Sequence, residues 1–288
     1  MKTLPRHTPQ IAPNSAELSE IAAMLNEYSG IVISSEKSSM VQSRLQKRLR
    51  ELGIGSYRQY LDFVKTDDGQ DERQKMVSAL TTNVTHFFRE KHHFETLREK
   101  AMPELLKRLR ERGRVRIWSA GCSNGQEAYS ILMTIAEMAE DFDALDLRLL
   151  ATDIDPAMLI TGTDGMYPSQ AVEAVPDNLR LKYFTQQENA FQISASLRRK
   201  AVFKKLNIHA DWPIKGPFDI IFCRNMMIYF SPEAQAQLWK RFETLMAPGG
   251  WLFVGHSERV PLDTGSRLKA AGITTYRLPQ KSTGKEVS

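Results

Sequence analysis

Cysteine is scarce in this chain of 288 residues, with only Cys122 and Cys223 present. Two residues cannot make a disulfide framework, and their spacing matches no zinc site. A reducing, cytoplasmic setting is the expectation that follows. Long apolar runs are also missing. The stretch from Phe218 to Cys223 is broken by Asp219 and falls well short of the roughly 18 residues a membrane span needs. Residues 1–15 are polar, carry prolines and lack the apolar centre of a signal peptide. A flexible tail is expected there, and another over residues 281–288. Neither sign of charge dominates: 39 Lys plus Arg against 34 Asp plus Glu leave +5 at pH 7. That balance names no partner, so any basic patch must be located along the chain. What remains, 42% apolar and 25% charged residues, is ordinary globular composition.

The chain has two textures. Over residues 16–90 the apolar spacing is helical and no strand signal occurs. Leu18, Ile21, Ala22, Leu25 and Tyr28 recur at helical intervals and stop at Gly30. Ser34 or Ser35 is a candidate cap for a second helix striped by Val41, Leu45, Leu49 and Leu52. Ser56 is a candidate cap for a third, with Tyr57, Tyr60, Leu61 and Val64 inward, and Asp71 to Thr81 reads as a fourth. Residues 91–112 read as a connecting helix carrying Phe94, Leu97, Leu105 and Leu109.

From residue 113 to 280 strands and helices alternate. Val115 to Ser119, Leu147 to Thr152, Phe218 to Cys223, Trp251 to Gly255 and Ile273 to Leu278 read as strands. Short connections between alternating elements imply an α/β domain with a mostly parallel sheet. Over residues 166–206 the alternation weakens, and Phe191 to Ala195 with Lys200 to Leu206 reads as a hairpin. This segment is expected to be a small inserted β-subdomain.

Four segments carry chemistry. The loop after the first strand has Gly121 and Gly125 at a strand end and helix start, where open α/β sheets bind ligands. A tight turn serving only the fold is the alternative. The dinucleotide pattern G-x-G-x-x-G is absent, and Glu127 just inside the helix would repel phosphate. Asp153, at the end of the next strand, is placed to accept hydrogen bonds from both hydroxyls of a ribose, while Asp155 before Pro156 reads as a helix cap. Together these outline an adenosine bearing amino-acid groups. Residues 79–90 combine Thr81, Thr82, Asn83 and Thr85 with Phe87, Phe88 and Arg89, which is either a ligand-facing segment or a domain junction. The strand ending at Cys223 presents Arg224, Asn225 and Tyr229 to the same crevice. No Asn-Pro-Pro-Tyr loop of base methylases follows it, and His92, His93 and His256 show no ligand spacing, so no metal is expected.

Five stretches taken together are specific: Leu80-Thr-Thr-Asn-Val-Thr-His-Phe-Phe-Arg-Glu90, Trp118-Ser-Ala-Gly-Cys-Ser-Asn-Gly-Gln-Glu-Ala-Tyr-Ser130, Ala151-Thr-Asp-Ile-Asp155, Phe222-Cys-Arg-Asn-Met-Met-Ile-Tyr-Phe230 and Gly255-His-Ser-Glu258. In this order, over about residues 16–278, the chain resembles the CheR family of chemotaxis receptor methyltransferases. The resemblance implies a helical amino-terminal domain and a class I, Rossmann-like methyltransferase domain with an inserted β-subdomain. It also implies S-adenosylmethionine as cofactor, S-adenosylhomocysteine as product, and esterification of glutamates in the cytoplasmic helical bundle of chemoreceptors. Carried over by position, the cofactor site falls on Asn83, Thr85, Arg89, Glu127, Asp153, Asn207, Ile208, Arg224 and Asn225, and the active pair on Arg89 and Tyr229. Family members that dock on a receptor's carboxyl-terminal pentapeptide have a longer, glycine-containing loop in the β-subdomain. Here Gln186 to Ala190 lacks glycine, so tether-independent action is expected. The alternative to an enzyme is a cofactor-binding adaptor of the same fold.

Between Lys37 and Arg50 there are five basic residues and no acid. Arg44, Lys47 and Arg48 share one helical face. A solvated surface is the plain reading. An acidic receptor helix steered by this face is the functional one, and the resemblance points the same way. Nucleic acid and membrane insertion are not expected.

Overall fold

The computed structural model describes residues 12–262 and 265–280. The tails expected over residues 1–15 and 281–288 therefore lie mostly outside the described residues. The chain forms two compact units that divide between Thr82 and Asn83.

The first unit is all helical. Helix α1 (Ser15–Ser29) starts with a reciprocal cap that the apolar pattern alone did not show. Glu17 N donates to Asn14 Oδ1 at 2.9 Å and Asn14 N to Glu17 Oε2 at 2.8 Å. The second helix, α2 (Ser38–Leu52), differs from expectation at its start. A 3-10 turn at Ser35–Lys37 leads into it, and Lys37 sits at the cap position, where its side chain makes no capping bond to the helix. α3 (Tyr57–Lys65) is capped by Ser56 as read, its Oγ accepting from Gln59 N, and α4 (Gln70–Leu80) completes the unit. The core takes Ile21, Leu25, Val41, Leu45, Leu49, Tyr60, Leu61, Val64, Met76 and Val77. One charge is buried among them: Glu72 accepts from Arg48 Nε at 2.9 Å, from Arg48 Nη2 at 2.6 Å and from the Tyr60 hydroxyl at 3.0 Å. Arg48 is thereby removed from the basic face expected of it.

The second unit opens with α5 (Lys91–Thr96), a π turn at Leu97–Ala101, and α6 (Met102–Arg110). The widened turn falls just ahead of Pro103, whose missing N–H would interrupt an ordinary ladder. Phe94, Leu97, Leu106 and Leu109 are buried in the same core as Ile117 and Leu149. This segment packs into the core of the second unit.

The sheet is built from β1 (Val115–Ala120), β2 (Leu147–Asp153), β6 (Ala201–Lys205), β7 (Phe218–Cys223), β8 (Met246–Val254), β9 (Lys269–Gly272) and β10 (Thr275–Arg277). Their spatial order is β6-β2-β1-β7-β8-β10-β9. The first five are mutually parallel, and β10 and β9 close the edge as an antiparallel hairpin. The exposed Ile273 lies in that hairpin's turn, so the single terminal strand expected over 273–278 is shorter and paired. Chain order runs outward from β1 to β2 and β6, then returns to the other side at β7. The topological switch point is therefore the β1/β7 gap, whose carboxyl end is where such sheets take ligands. Side chains alternate across β1: Ile117 faces one core, while Trp118 faces the other, donating its Nε1 to Thr152 Oγ1 at 2.9 Å.

Helices α7 (Gln126–Ala136), α8 (Pro156–Asp164) and α12 (Pro232–Leu245) join the strands. Between α8 and β6 the chain forms β3 (Met166–Pro168), α9 (Ser169–Val172), α10 (Asp177–Tyr183), β4 (Phe184–Gln187), β5 (Ala190–Ile193) and α11 (Ala195–Lys200). Strands β3, β5 and β4 make a separate antiparallel sheet, which is the inserted subdomain. One expectation is corrected here. Residues 201–205 do not pair with residues 191–193, because 195–200 fold as α11 instead of a turn. That helix carries the chain back to the main sheet, where β6 lies parallel to β2.

Candidate active site

Register aligns the carboxyl ends at the switch point. Ala120 pairs with both Thr152 and Cys223, and Cys223 pairs with Val254. The next residues, Gly121, Asp153, Arg224 and Gly255, consequently stand in one rank along the crevice.

The loop after β1 is held by its glycines for two reasons. Gly125 has φ +89°, and a Cβ there would meet Gly162 Cα at 2.9 Å and the Phe203 ring at 3.0 Å. Its main duty is close packing of α7 against α8 and β6. Gly121 has φ +71° and faces Met226. Asp153 is 8% exposed and anchors the loop. Its Oδ2 accepts from Ser123 N at 2.7 Å and its Oδ1 from Asp155 N at 3.0 Å. Burial raises the carboxyl's pKa, opposed by these backbone donors. Asp155 caps α8 through Ala157 N, as its position before Pro156 suggested.

Residues 83–89 belong to this unit and close over the loop. Asn83 Nδ2 donates to Asp155 Oδ2 at 2.9 Å, and its carbonyl accepts from Ser123 Oγ at 2.9 Å. Phe88 N donates to Ser130 Oγ at 3.0 Å. The Arg89 side chain folds back so that Nη1 reaches the Val84 carbonyl at 2.9 Å. Thr85 is half-buried in the same segment.

Beneath lies a buried charge cluster. Arg224, 2% exposed in its side chain, pairs with Glu127 Oε2 at 3.0 Å and Glu90 Oε2 at 3.3 Å, and donates to the Arg89 carbonyl. It also lies over the Phe94 ring. Glu127 Oε1 accepts from Ser119 Oγ at 2.7 Å. Burial raises the Glu127 carboxyl while Arg224 and Ser119 oppose that rise. Burial would raise Glu90 too, but Arg224, His256 and Asn225 bring it down to about 2. Arg224 and Glu127, both expected to touch the cofactor, are engaged with each other at the crevice floor.

Glu90, His92 and His93 each offer one ligand atom within 4.8 Å of the others. The Arg224 guanidinium approaches that group at Glu90 Oε2, 3.3 Å away. His93 is wholly buried, and its ring is pushed down to about 3, first by burial and then by Arg224. His256, set aside for want of ligand spacing, contacts Glu90 Oε1 through Nδ1 at 3.2 Å. Glu90 itself carried no signal beyond its place after Arg89.

Asn207 and Ile208 follow β6. Asn207 Oδ1 accepts from His209 N at 3.0 Å, and the Ile208 carbonyl accepts from Trp212 Nε1 at 2.9 Å. The Arg241 guanidinium stacks 4.0 Å from the Trp212 ring centroid and donates to the Ala210 carbonyl, tying down this loop. Asn225 has φ +55° and donates Nδ2 to Glu90 Oε1 at 3.2 Å. Tyr229 is half-buried at the end of a single 3-10 turn, Met227–Tyr229.

Residues 83–277 match the CheR methyltransferase SAM-binding domain, and residues 16–81 match the CheR methyltransferase all-alpha domain. The chain belongs to the CheR methyltransferase family. A probable chemotaxis protein methyltransferase of Rhizobium etli is 43% identical over 267 residues, covering 91% of this chain and 100% of that protein. The chemotaxis protein methyltransferase of Escherichia coli is 34% identical over 276 residues, covering 94% and 93%. That of Borreliella burgdorferi is 34% identical over 249 residues. The CheR assignment makes this a SAM-dependent methyltransferase, and the residues present fit that cofactor. Asp153 ends β2 as a buried carboxylate beside the glycine loop, where an anionic acceptor suits the hydroxyls of a ribose. Among the described residues no helix is long and apolar enough to cross a membrane.

Proposed function

We propose that the protein esterifies glutamate side chains on the cytoplasmic helical bundle of chemoreceptors, in chemotaxis adaptation. The observation that carries this is Asp153, buried in rank with Gly121 and Arg224 at the switch point of a CheR-family sheet. Asp153 would take the ribose, the Asn207–Ile208 loop would line the site beside it, and Asn83, Thr85, Arg89, Glu127, Arg224 and Asn225 would enclose the rest. S-adenosylmethionine supplies, when bound, a methyl group activated by a positive sulfur.

No residue needs to act as a base, since a glutamate with an ordinary pKa of about 4.3 is already ionised at neutral pH. The protein's contribution is alignment and exclusion of water. Arg89 and Tyr229 orient the incoming carboxylate and shape the space around it. A grip by Arg89 that held the carboxylate too tightly would stabilise the ground state and help little.

The basic residues Arg44 and Lys47 support attraction of an acidic receptor helix, since long-range steering needs only net local charge. In the β-subdomain, β4 and β5 are joined by Glu188 and Asn189 alone. So short a turn supports action without a carboxyl-terminal receptor tether and speaks against micromolar binding of the tether pentapeptide in a calorimetric titration. With no membrane-crossing helix among the described residues, a cytoplasmic enzyme meeting the receptor's cytoplasmic part is the consistent picture.

Tritiated methyl transfer to receptor-containing membranes tests the reading. Label released as methanol by base is expected. Base-stable label on nucleic acid would make it a nucleic-acid methylase, and cofactor binding with no transfer would make it an adaptor.

A further inference from the structure

Among the described residues no cation pairs with the carboxylate of Glu258, which is 3% exposed. It accepts instead from three backbone N–H groups at two strand ends. Oε2 takes Asn225 N at 2.9 Å and Gly255 N at 2.5 Å, while Oε1 takes Met227 N at 2.6 Å. Its own N–H donates to the Gly255 carbonyl at 2.9 Å, which closes the turn after β8. Gly255 has to be glycine here. A Cβ would lie 2.6 Å from Asn225 N and 2.7 Å from Glu258 Oε2.

The three donors are not equivalent. Gly255 belongs to the end of β8, but Asn225 and Met227 are the residues through which the chain leaves β7. Asn225 is in the left-handed region, and Met227 is the first residue of the turn that ends at Tyr229. Charge-assisted bonds from a buried carboxylate are the strongest available to backbone N–H groups. We infer that Glu258 is a positioning residue for methyl transfer: its carboxylate fixes the backbone from Asn225 to Met227 and so sets where Tyr229 stands.

This rests on Tyr229 facing the reacting groups, and a double-mutant cycle keeps the two ideas apart. In Glu258→Gln either amide orientation aims an NH2 at a backbone N–H, so the turn must shift while the fold keeps its shape. With wild-type Tyr229, kcat is expected to fall by about tenfold or more, since small misplacements are costly in alignment-driven catalysis. KM for S-adenosylmethionine should change by less than about threefold, the signature of a loss confined to the transition state. In a Tyr229→Phe background the same change should cost less than about twofold, because coupled residues are non-additive. Equal loss in both backgrounds, or unchanged kcat, overturns the inference. Tyr229→Phe at full turnover overturns its premise, and is read from the single variant alone. Should Glu258→Gln not fold, Glu258→Asp enters the same cycle. Hydrogen exchange of wild-type Asn225 and Met227 gives a readout without substitution: slow exchange is expected in the free enzyme, and exchange at loop rates contradicts it.

Discussion

Arg224 and Glu127 meet at 3.0 Å across 97 residues of chain, one at the end of β7 and the other on the first turn of α7. Their pairing joins the two strands that flank the switch point, and Glu90 on the far side of the guanidinium completes the cluster. The loops on both sides of the crevice therefore share one buried ionic floor.

Removing Arg224 would leave two carboxylates, 10% and 12% exposed, without their cation. Breaking such a buried pair typically costs about 3–5 kcal/mol. Arg224→Ala is expected to lose that much in denaturant unfolding at neutral pH, and a loss under about 1 kcal/mol would show that the cluster is well solvated.

The same cluster sets a pH dependence. His93 titrates near 3 in the folded protein against 6.5 when exposed, so between those values the unfolded chain binds the extra proton. Stability from this group is complete above about 6.5 and declines as the pH falls toward 3. Glu90, held near 2 against an ordinary 4.5, acts in the same direction over a lower window. Urea midpoints should drop from pH 7.5 to 5.5 in the wild type, and His93→Gln should flatten that drop; an unaltered slope would assign it elsewhere.

On the helical unit, Lys47 and Arg48 are adjacent yet should behave differently. Lys47 is 75% exposed and only 4.0 Å from Glu51, an ion pair worth little. Arg48 is 17% exposed and neutralises buried Glu72. Lys47→Glu is expected to slow receptor methylation in a salt-sensitive way with cofactor affinity unchanged. Arg48→Ala is expected to destabilise the fold by about 3–5 kcal/mol. Equal stability losses in urea titrations of the two variants would contradict this division.

Tyr229→Phe keeps the ring and removes one hydroxyl. Turnover is expected to fall while adenosylhomocysteine affinity holds, and steady-state kinetics beside calorimetry separate the two. Unchanged turnover would remove Tyr229 from the active pair.

The helical unit and the parallel sheet were legible because apolar spacing and strand-helix alternation are local signals. The place of Asp153 at the end of a strand beside the glycine loop was legible for a similar reason, since strand-helix alternation sets it. Glu90, His256 and Glu258 were not. Their partners lie 135, 166 and 33 residues away, and no periodicity announces a bond across that distance. The misread of residues 200–206 has another cause. A short polar gap between two β-prone runs suits a hairpin, but Ala195–Lys200 closes a helix whose buried Leu197 and Lys200 face the core. Lys200 is held there by the carbonyls of Asp143 and Leu145, again remote in sequence.

The central claim is a pocket at the β1/β7 switch point that grips an adenosyl ligand through Asp153, and calorimetric titration with S-adenosylhomocysteine tests it most directly. Saturable one-to-one binding is predicted for the wild type, weakened by about tenfold or more in Asp153→Asn, because charged hydrogen bonds contribute roughly 1.5–3 kcal/mol each. Absence of heat with the wild-type protein, or equal affinity in the folded variant, would contradict it.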